Sequence, residues 1–317
     1  MRESRPIEAS VFAEARSRGL DPVIARIVAG RISDETALDV VLDPQLQHIA
    51  PPSELTDITK VADRLQTAIR DGERIGVLTD YDADGLTSHA VITESLQRFG
   101  VSPENISHWI GHRLEDGYGI SETLVDRLLE SLPVPQVVIS ADCGSSDEVQ
   151  IVRLKDAGVD VIVTDHHRVS DRGPPASAWA VVNPNRADCR YPDKAIAGCM
   201  VSWLVMSFLR QRLIDQGVLV PTTPKLGDLL DYVALGTVAD CVSLGSSETN
   251  RAVVKAGLSL IARQQRPCWQ VALSQLTRAP RDLNAELLAF QLAPRLNARG
   301  RIAHSLRGYE YLVATSV

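Results

Sequence analysis

The fold of this chain is constrained most by an alternation of short apolar segments with amphipathic ones. The runs "RIGVLTD" (74–80), "QVVISAD" (136–142) and "DVIVTD" (160–165) are rich in β-branched residues and have the length of a buried strand. The segments 86–100 and 145–158 have helical spacing, and glycine ends each of them. Apolar strands separated by helices form parallel sheets with helices on both faces. We therefore predict an α/β fold with a doubly wound, mostly parallel sheet.

Patterning and charge divide the 317 residues into three regions. Residues 1–70 are predicted to form a mainly helical segment, residues 71–248 the α/β domain, and residues 249–317 a basic helical segment. The net charge is −7, yet the chain from Arg251 onward carries ten Lys and Arg against three Asp and Glu, a net of +7. An acidic body joined to a basic segment could bring a metal site and a polyanion-binding surface together.

Cysteine usage and hydropathy indicate the compartment. The five cysteines are scattered and include no C-x-x-C pair, which predicts reduced thiols rather than a disulfide framework or a zinc site. No apolar run reaches the roughly 18 residues of a membrane span, and the first ten residues lack the apolar stretch of a secretory signal. We therefore expect a cytoplasmic protein without a membrane partner.

Acidic side chains directly follow three of the predicted strands. Ligands of open α/β sheets bind beyond the carboxyl ends of the strands, near the point where the strand order reverses. Carboxylates gathered there repel one another, and their pKa values are raised unless a cation compensates them. The residues expected at this edge are Asp80, Asp82, Asp84, Asp142, Asp165, His166 and His167.

The chemistry of these side chains favours manganese or magnesium over zinc, because oxygen ligands predominate and no cysteine is well placed. One divalent ion rarely uses so many ligands, so the economical interpretation is two metals that share a bridging carboxylate. Such a pair suits the in-line attack of hydroxide on a phosphodiester. The residues alone therefore predict a divalent-metal phosphoester hydrolase that acts on a polyanion.

Other sites that use clustered aspartates fit less well. A calcium-binding loop starting at Asp80 would need Glu at its twelfth position, which is Val91 here. A Rossmann dinucleotide site needs G-x-G-x-x-G, whereas "DADGLTS" has one glycine. A response-regulator pocket needs fewer aspartates and has no use for D-H-H. A single aspartate at a strand end is more often a helix cap or turn residue, so the hypothesis depends on the conjunction.

Several short motifs resemble a known family. "DYDADG", "ADCG", "TDHH" and "GTVAD" occur in the order and spacing of the DHH phosphoesterase superfamily. The stretches "VVNPNRADCRYP", "AGCMVSWLV" and "PRLNARGRI" resemble its RecJ branch, the single-strand-specific 5′→3′ DNA exonucleases. D-H-H alone is a weak signal, but four ordered motifs and R-L-N-A-x-G-R together are a specific one. The resemblance covers residues 73–305 and implies that residues 71–248 are the catalytic DHH domain.

The resemblance implies a set of metal ligands. Asp82 and Asp84 would bind the two different metals, Asp142 would bridge them, and His166 and Asp240 would complete the second metal's shell. Manganese is the expected ion and magnesium the alternative. The full implied set is Asp80, Asp82, Asp84, Asp142, His166 and Asp240, with Asp80 in a supporting or additional position.

The resemblance also implies catalytic and substrate-binding roles. His167 would contact the scissile phosphate as an electrophile or proton donor, and Asp165 would orient a histidine; with Asp142 they form the expected catalytic set. Arg113 and Tyr118, in "HRLEDGYG", would contact the substrate phosphate and line the substrate groove. The expected substrate-binding residues are Arg113, Tyr118, His167, Arg295, Asn297 and Arg301.

The activity implied by the resemblance is that of a two-metal exonuclease of DNA repair and recombination. It would degrade single-stranded DNA from the 5′ end, release 5′-mononucleotides, and act beside a single-strand-binding protein and a helicase. Two alternatives are an oligoribonuclease or cyclic-dinucleotide phosphodiesterase of the same superfamily, and a non-catalytic DHH-fold module that binds nucleic acid or a replication partner. All the expected ligands are present, and the aromatic content of 4% argues against binding dominated by base stacking.

The chain departs from the family pattern at two points. Cys143 follows Asp142 where the family has asparagine, so a thiol replaces a polar group beside the expected site. RecJ chains also continue past R-L-N-A-x-G-R into a second α/β domain, named DHHA1, and an oligonucleotide-binding barrel. The resemblance therefore leads us to expect a fragment or reduced relative that lacks both, so that residues 249–317 lead towards a missing domain.

Overall fold

A sheet of five parallel strands forms the centre of the protein in the computed structural model. The structure describes residues 5–32, 38–276, 283–302 and 306–317, and for residues 299–302 it describes the backbone alone. Every strand pair in the described residues is parallel. The predicted α/β fold with a parallel sheet is confirmed. The strands are β1 Ile75–Thr79, β2 Ile106–Ile110, β3 Val137–Ala141, β4 Asp160–Thr164 and β5 Ala180–Val182.

The strand order is β2-β1-β3-β4-β5. The chain passes from β1 to β2 on one side and then returns past β1 to β3 on the other. The strand order therefore reverses between β1 and β3, and ligands of such sheets bind beyond the carboxyl ends of these two strands.

Helices connect and flank the strands, and none in the described ranges is both long and apolar enough to span a membrane. The described residues before β1 and after β5 form helices joined by loops, as the sequence predicts. The helices are α1 Ala9–Ser17, α2 Pro22–Ala29, α3 Leu38–Leu42, α4 Ile58–Asp71, α5 Ala83–Arg98, α6 Glu122–Glu130, α7 Glu148–Asp156, α8 Gly198–Asp215, α9 Leu230–Ala239, α10 Glu248–Ala262, α11 Pro267–Ser274, α12 Ala285–Leu287, α13 Ala293–Ile302 and α14 Leu306–Leu312, with a π-helical turn at Leu288–Leu292.

Successive side chains of a strand point to opposite faces of the sheet, so the central strands contribute to an apolar cluster on each face. Val77 and Ile139 face one apolar cluster, which includes side chains of α4, α5, α8 and α9. Leu78 and Val138 face the other cluster, which contains side chains of α6 and α7. Helices therefore cover both faces, and the doubly wound arrangement is confirmed.

The terminal segments differ in how they join this core. Helices α1, α2 and α3 form a small apolar cluster of their own around Val11, Val28 and Leu38. Helix α4, which lies in the predicted 1–70 segment except for its last residue, packs instead in the core cluster on the first face. Leu288 and Tyr309 of the C-terminal segment belong to the same cluster. The boundaries 1–70, 71–248 and 249–317 stay predictions.

One predicted helix is shorter than its pattern indicates. The spacing predicts a helix over 145–158, whereas α7 begins at Glu148. The residues before it are used elsewhere: the Ser145 amide donates to the Asp165 carboxylate at 3.0 Å, and the Asp147 carboxylate accepts the Ile120 amide at 2.8 Å. This loop therefore serves the sheet edge, and the helix starts one turn later.

Candidate metal centre

The loop after β1 presents three aspartates at the carboxyl edge of the sheet. Asp82 is the N-cap of α5, and its Oδ1 accepts the amides of Asp84 and Gly85 at 2.9 and 3.0 Å. A methyl group on Gly85 would lie 2.3 Å from the Asp80 carbonyl oxygen, so the tight turn requires glycine. The first aspartate of the motif is 5% exposed and the third 1% exposed, and both are far more buried than carboxylates usually are.

Asp84 is held by the N-terminus of α8. Its Oδ2 accepts the Gly198 amide at 2.7 Å, and its Oδ1 accepts the Cys199 amide at 2.9 Å. Free amides and the helix dipole stabilise a negative charge at such a position. Glycine is required here as well, because a methyl group on Gly198 would lie 2.8 Å from Asp142 Cβ.

Asp142 follows β3 in a left-handed backbone conformation, with φ of 61°. Aspartate and asparagine tolerate this region better than most residues. The Asp142 amide donates to the Thr164 carbonyl at 3.0 Å, which ties the turn to the end of β4. The turn places a buried carboxylate, 2% exposed, beside the loop that follows β1.

Asp165 organises the loop after β4. Its Oδ1 accepts the amides of His166 and His167 at 2.7 and 3.1 Å and the Nδ1 of His167 at 2.8 Å. Burial opposes ionisation, but the hydrogen bonds from His167 and Ser145 prevail and hold the pKa of Asp165 below its usual value. The same contact raises the pKa of His167. Asp165 thus holds both histidines and stays charged.

His166 lies at the point where the loops meet. Its Nε2 is 3.2 Å from Asp142 Oδ1, 3.5 Å from Asp240 Oδ2 and 3.8 Å from Asp84 Oδ2. Asp240 reaches this point because it is the C-cap of α9, whose close packing carries "GTVAD" to the sheet edge. Imidazole with three carboxylates is a ligand set typical of manganese or magnesium rather than zinc.

Burial and mutual repulsion raise the pKa values of the clustered carboxyls. Burial, followed by the charge of Asp82, raises the pKa of Asp80 to about 7. Burial, followed by the charges of Asp84 and Asp82, raises the pKa of Asp240 to about 7. The pKa values of Asp82 and Asp142 are raised for the same reasons. Without a cation, full ionisation of this cluster is therefore unfavourable.

The donor set fits divalent ions. Buried side-chain oxygens and nitrogens normally have hydrogen-bond partners. Among the described residues, Asp80 Oδ1, Asp142 Oδ1 and His166 Nε2 are buried without a hydrogen-bond partner, as expected of atoms that bind a cation. The cluster could hold metal ions, and its ligand atoms fall into three compact groups: Asp80 with Asp82 and Asp142, Asp84 with His166 and Asp240, and Asp142 with His166 and His167.

Two of the expected substrate residues lie beside this cluster. The Tyr118 hydroxyl is 2.9 Å from His167 Nδ1, and the side chain of Tyr118 is half exposed. Arg113 is exposed on the same loop, with its guanidinium carbon 5.8 Å from the ring centre of Tyr81. The Asp116 carboxylate holds this loop by accepting the His112 amide at 2.7 Å.

The three expected substrate residues of the C-terminal segment have different surroundings. Asn297 Oδ1 accepts the Ala83 amide at 2.7 Å, so this oxygen serves the first turn of α5. Arg295 is exposed, with Nη1 3.3 Å from Gln275 Oε1. Arg301 lies in α13, but its side chain is outside the described residues. Contact of these three side chains with a nucleic acid strand stays a prediction.

The side chain of Cys143 packs in the apolar interior rather than among the metal ligands. It is fully buried in the apolar cluster on the second face of the sheet, and its thiol donates to the Ala141 carbonyl at 3.5 Å. Burial raises the pKa of this thiol, which keeps it neutral. The thiol therefore contributes packing rather than a ligand atom.

The sequence did not reveal the glycines and the asparagine side chains that support the ligands. Gly198 and Gly236 are required by helix approaches between segments distant in sequence, so no local pattern reveals them. Asn183 and Asn185 donate to the carbonyls of His167 and His166, respectively. The only signal for these asparagines was the stretch "VVNPNR", which sequence reasoning used for resemblance alone.

Replacement of Gly236 by alanine should weaken both the fold and metal binding. A methyl group there would lie 2.3 Å from Thr87 Oγ1 and 2.8 Å from Asp84 Oδ1, so α9 must move and carry Asp240 with it. We expect an overpacking cost of roughly 1–3 kcal/mol, of which the higher helix propensity of alanine offsets about 1 kcal/mol at most. Thermal unfolding and calorimetric Mn²⁺ titration measure the two effects.

The matched control is Gly227→Ala, because no heavy atom lies within 4 Å of a methyl group at that position. It should leave both the melting temperature and the Mn²⁺ affinity close to wild type. An unchanged Mn²⁺ affinity in Gly236→Ala would show that the close approach of α9 does not set the position of Asp240.

Known proteins are similar to this chain in sequence and in fold. Residues 74–237 match the family described as "DHH family, N-terminal domain". The chain is 38% identical over 305 residues to "Single-stranded-DNA-specific exonuclease RecJ" of Salmonella typhimurium, which covers 95% of this chain and 51% of that protein. The chain thus spans about half the length of the curated relatives it matches.

Solved structures agree with the sequence comparison. "Crystal structure of exonuclease RecJ bound to manganese" matches with a TM-score of 0.70 and 31% identity, covering 82% of this chain and 62% of that one. The crystal structure of RecJ in complex with Mn²⁺ from Thermus thermophilus matches with a TM-score of 0.75 and 28% identity, covering 96% and 41%. The resemblance drawn from the motifs is confirmed: the chain belongs to the DHH family and is similar to its RecJ exonucleases.

Proposed function

We propose that this chain is a two-metal phosphodiesterase that degrades single-stranded DNA from its 5′ end and releases 5′-mononucleotides in DNA repair and recombination. The observation that carries the proposal is the placement of Asp142 between two ligand groups, one with Asp80 and Asp82 and one around His166. A shared carboxylate between two groups is what a two-metal centre needs. Similarity to proteins named as single-stranded-DNA-specific exonucleases supports the choice of substrate.

The metals would be two divalent ions, with manganese expected and magnesium as the alternative. Asp80, Asp82 and Asp142 would hold one, while Asp84, His166 and Asp240 would hold the other with Asp142 shared. When bound, such ions supply an activated water and stabilise the charge that develops on the phosphodiester. The ions also compensate the repulsion that otherwise raises the pKa values of these carboxyls.

The chain's own residues would orient and protonate the substrate. His167 is 42% exposed in its side chain, and its Nδ1 contacts Asp165, so Nε2 is the ring nitrogen that would meet a phosphate oxygen. Its raised pKa favours the imidazolium, which can neutralise or protonate that oxygen. Tyr118 contacts His167, and Arg113 lies over the ring of Tyr81, beside the aspartates; both would hold the neighbouring backbone of the strand.

The surroundings proposed for the enzyme follow from its chemistry. All five cysteines are free, and four of them are buried, which suits a reducing cytoplasm. An exonuclease confined to single strands needs another protein to open duplex DNA, so a helicase and a single-strand-binding protein are its proposed partners. The curated relatives are about twice as long as this chain. The activity is therefore proposed from similarity to the matching half of those proteins.

End-labelled oligonucleotides test the proposal. Single-stranded and duplex DNA, RNA, dinucleotides and cyclic dinucleotides are incubated with the chain and Mn²⁺ or Mg²⁺, beside an Asp142→Asn variant. We expect 5′-mononucleotides from single-stranded DNA and none from the variant. Cleavage of only RNA oligomers or dinucleotides would replace the proposal with another phosphodiesterase activity of the superfamily. Binding of single strands without cleavage would favour a non-catalytic module.

A further inference from the structure

The segment 183–185 lies beside the loop that carries the two histidines. It follows β5 directly, and β5 pairs in parallel with β4 so that Val182 is opposite Thr164. The Asp165 amide donates to the Val182 carbonyl at 3.0 Å, which extends the pairing beyond the strand ends. The residues after each strand therefore run side by side, and the asparagines of "NPN" face the backbone of "DHH".

Asn183 is fully buried, and its side chain uses both ends. Its Nδ2 donates to the His167 carbonyl at 2.9 Å and to Ser145 Oγ at 2.8 Å. Its Oδ1 accepts the Asn185 amide at 2.8 Å, which closes a turn around Pro184. An amide side chain can accept one hydrogen bond and donate two at the same time, whereas a hydroxyl has one proton to donate and a carboxylate has none.

Asn185 forms the corresponding contact with His166. Its Nδ2 donates to the His166 carbonyl, and its own backbone is fixed by the turn that Asn183 closes. The position of the turn is supported by Lys194, whose Nζ donates to the Pro184 carbonyl at 2.7 Å. The side chain of Asn185 is exposed, so its replacement should not disturb the core.

The two histidines are thus held from opposite sides of their backbone. The Asp165 carboxylate accepts their amides, while the two asparagines donate to their carbonyls. Asn183 also joins this loop to the one after β3, since its partner Ser145 donates its amide to Asp165. That second loop carries Asp142, whose Oδ1 lies 3.2 Å from His166 Nε2.

We propose that Asn183 and Asn185 are positioning residues of the metal centre, which fix His166 against Asp142 and aim His167 at the substrate. The inference deepens the proposed function, on which it rests, because it assigns roles at the same site. Groups that orient metal ligands typically change metal affinity about 10–100-fold when they are removed. A turn-forming asparagine without this role would affect stability but not metal affinity.

Asn185→Ala is the deciding variant, with Asn105→Ala as its matched control. Asn105 is a half-buried asparagine that also donates to a backbone carbonyl, that of Gly72, but it precedes β2 at the amino-terminal edge of the sheet, away from the metal centre. We expect Mn²⁺ affinity, measured by calorimetry, to fall about tenfold in Asn185→Ala while the melting temperature of the metal-free protein stays unchanged. The control should match wild type in both measurements.

Asn185→Asp and Asn183→Asp separate the hydrogen bond from the shape of the side chain. Each replacement keeps the size and the acceptor oxygen but removes the donor and puts a carboxylate opposite a carbonyl. We expect Mn²⁺ affinity to fall at least as far as in Asn185→Ala, and kcat on single-stranded DNA to fall by a larger factor than KM changes. If Asn183→Asp does not fold, the two variants of Asn185 decide the inference alone.

The readouts distinguish failure of this inference from failure of the proposed function. If Asn185→Ala binds Mn²⁺ about tenfold more weakly and no oligonucleotide is cleaved by any variant, the positioning role holds and the exonuclease proposal fails. Equal Mn²⁺ affinity in Asn185→Ala and wild type, or binding in neither, overturns the positioning role whatever the nuclease assay shows.

Discussion

Replacement of Asp142 by asparagine should abolish metal-dependent cleavage while stabilising the metal-free protein. The carboxylate is shared by two of the three candidate ligand groups, and its Oδ1 is buried without a hydrogen-bond partner. Asparagine keeps the shape and tolerates the left-handed backbone at this position, so the fold should be kept. It removes the charge that both metals would share, and we expect kcat/KM to fall by about 10³-fold or more.

The effect on stability should have the opposite sign and depend on pH. Burial and then the charges of Asp84 and Asp82 raise the pKa of Asp142 well above 3.8, so the folded protein binds this proton more tightly than the unfolded chain does. The free energy of unfolding of the metal-free wild type therefore falls as the pH rises above that value. We expect Asp142→Asn to be more stable than the wild type at pH 8, and the gain to vanish near pH 4.

With Mn²⁺ bound, the wild type should be more stable than Asp142→Asn. A ligand present at 100 times its Kd stabilises a protein by about 2.7 kcal/mol, and the variant should lose most of that gain. Thermal unfolding with and without Mn²⁺ at both pH values checks the prediction. The matched control is Asp160→Asn, at the amino end of β4, where the carboxylate pairs with Arg64 at 2.6 Å. It should lose a little stability and keep the full response to Mn²⁺. Loss of metal-free stability in Asp142→Asn would mean that this carboxylate is structural.

The elements and the ligand cluster follow from local patterns of the sequence. The apolar runs before Asp80, Asp142 and Asp165 are buried on both faces, and only a strand of a covered parallel sheet uses such a run well. Once those strands are parallel, their carboxyl ends meet at one edge. The aspartates at the strand ends must then lie together, and this part of the site is predicted without any knowledge of the helix packing. Asp240, at the end of α9, was implied by the family resemblance alone.

The supports of the site could not be predicted, because they depend on contacts between distant segments. Gly236 sits inside a helix, where glycine is normally unfavourable, and only the approach of α9 to Asp84 and Thr87 explains it. For Asn297, no local pattern indicates that its oxygen accepts the Ala83 amide, 214 residues away, and its contact with the substrate stays a prediction. The sequence shows which side chains can bind a metal, whereas the helix crossings decide which groups hold them.

The two adjacent histidines show how such contacts separate residues that the sequence presents as equal. His166 Nε2 is enclosed by carboxylates, and its side chain is only 10% exposed. His167 is 42% exposed in its side chain, and its Nδ1 is held by Asp165 at 2.8 Å and lies 2.9 Å from the Tyr118 hydroxyl. A ligand role therefore suits His166, and a role towards the substrate suits His167, although His167 is also near enough to Asp142 to belong to a ligand group.

Replacement of each histidine by alanine should accordingly give different kinds of loss. In His167→Ala we expect kcat on single-stranded DNA to fall by about 10²–10⁴-fold, the usual contribution of a positioned proton donor, with little change in Mn²⁺ affinity. In His166→Ala the Mn²⁺ affinity itself should fall, by about tenfold or more. Calorimetric Mn²⁺ titration and steady-state kinetics on the same preparations separate the two, with the exposed His48→Ala as a control that changes neither.

The pH profile supplies the second test of His167. The hydrogen bond with Asp165 raises the pKa of its imidazole, so the protonated form persists above the ordinary value of about 6.5. If that form acts on the phosphate, the activity of the wild type falls as the pH rises through the raised pKa, and His167→Ala loses this alkaline limb. Equal losses of Mn²⁺ affinity in the two alanine variants would instead make His167 a metal ligand, and an alkaline limb that survives in His167→Ala would assign the titration to another group.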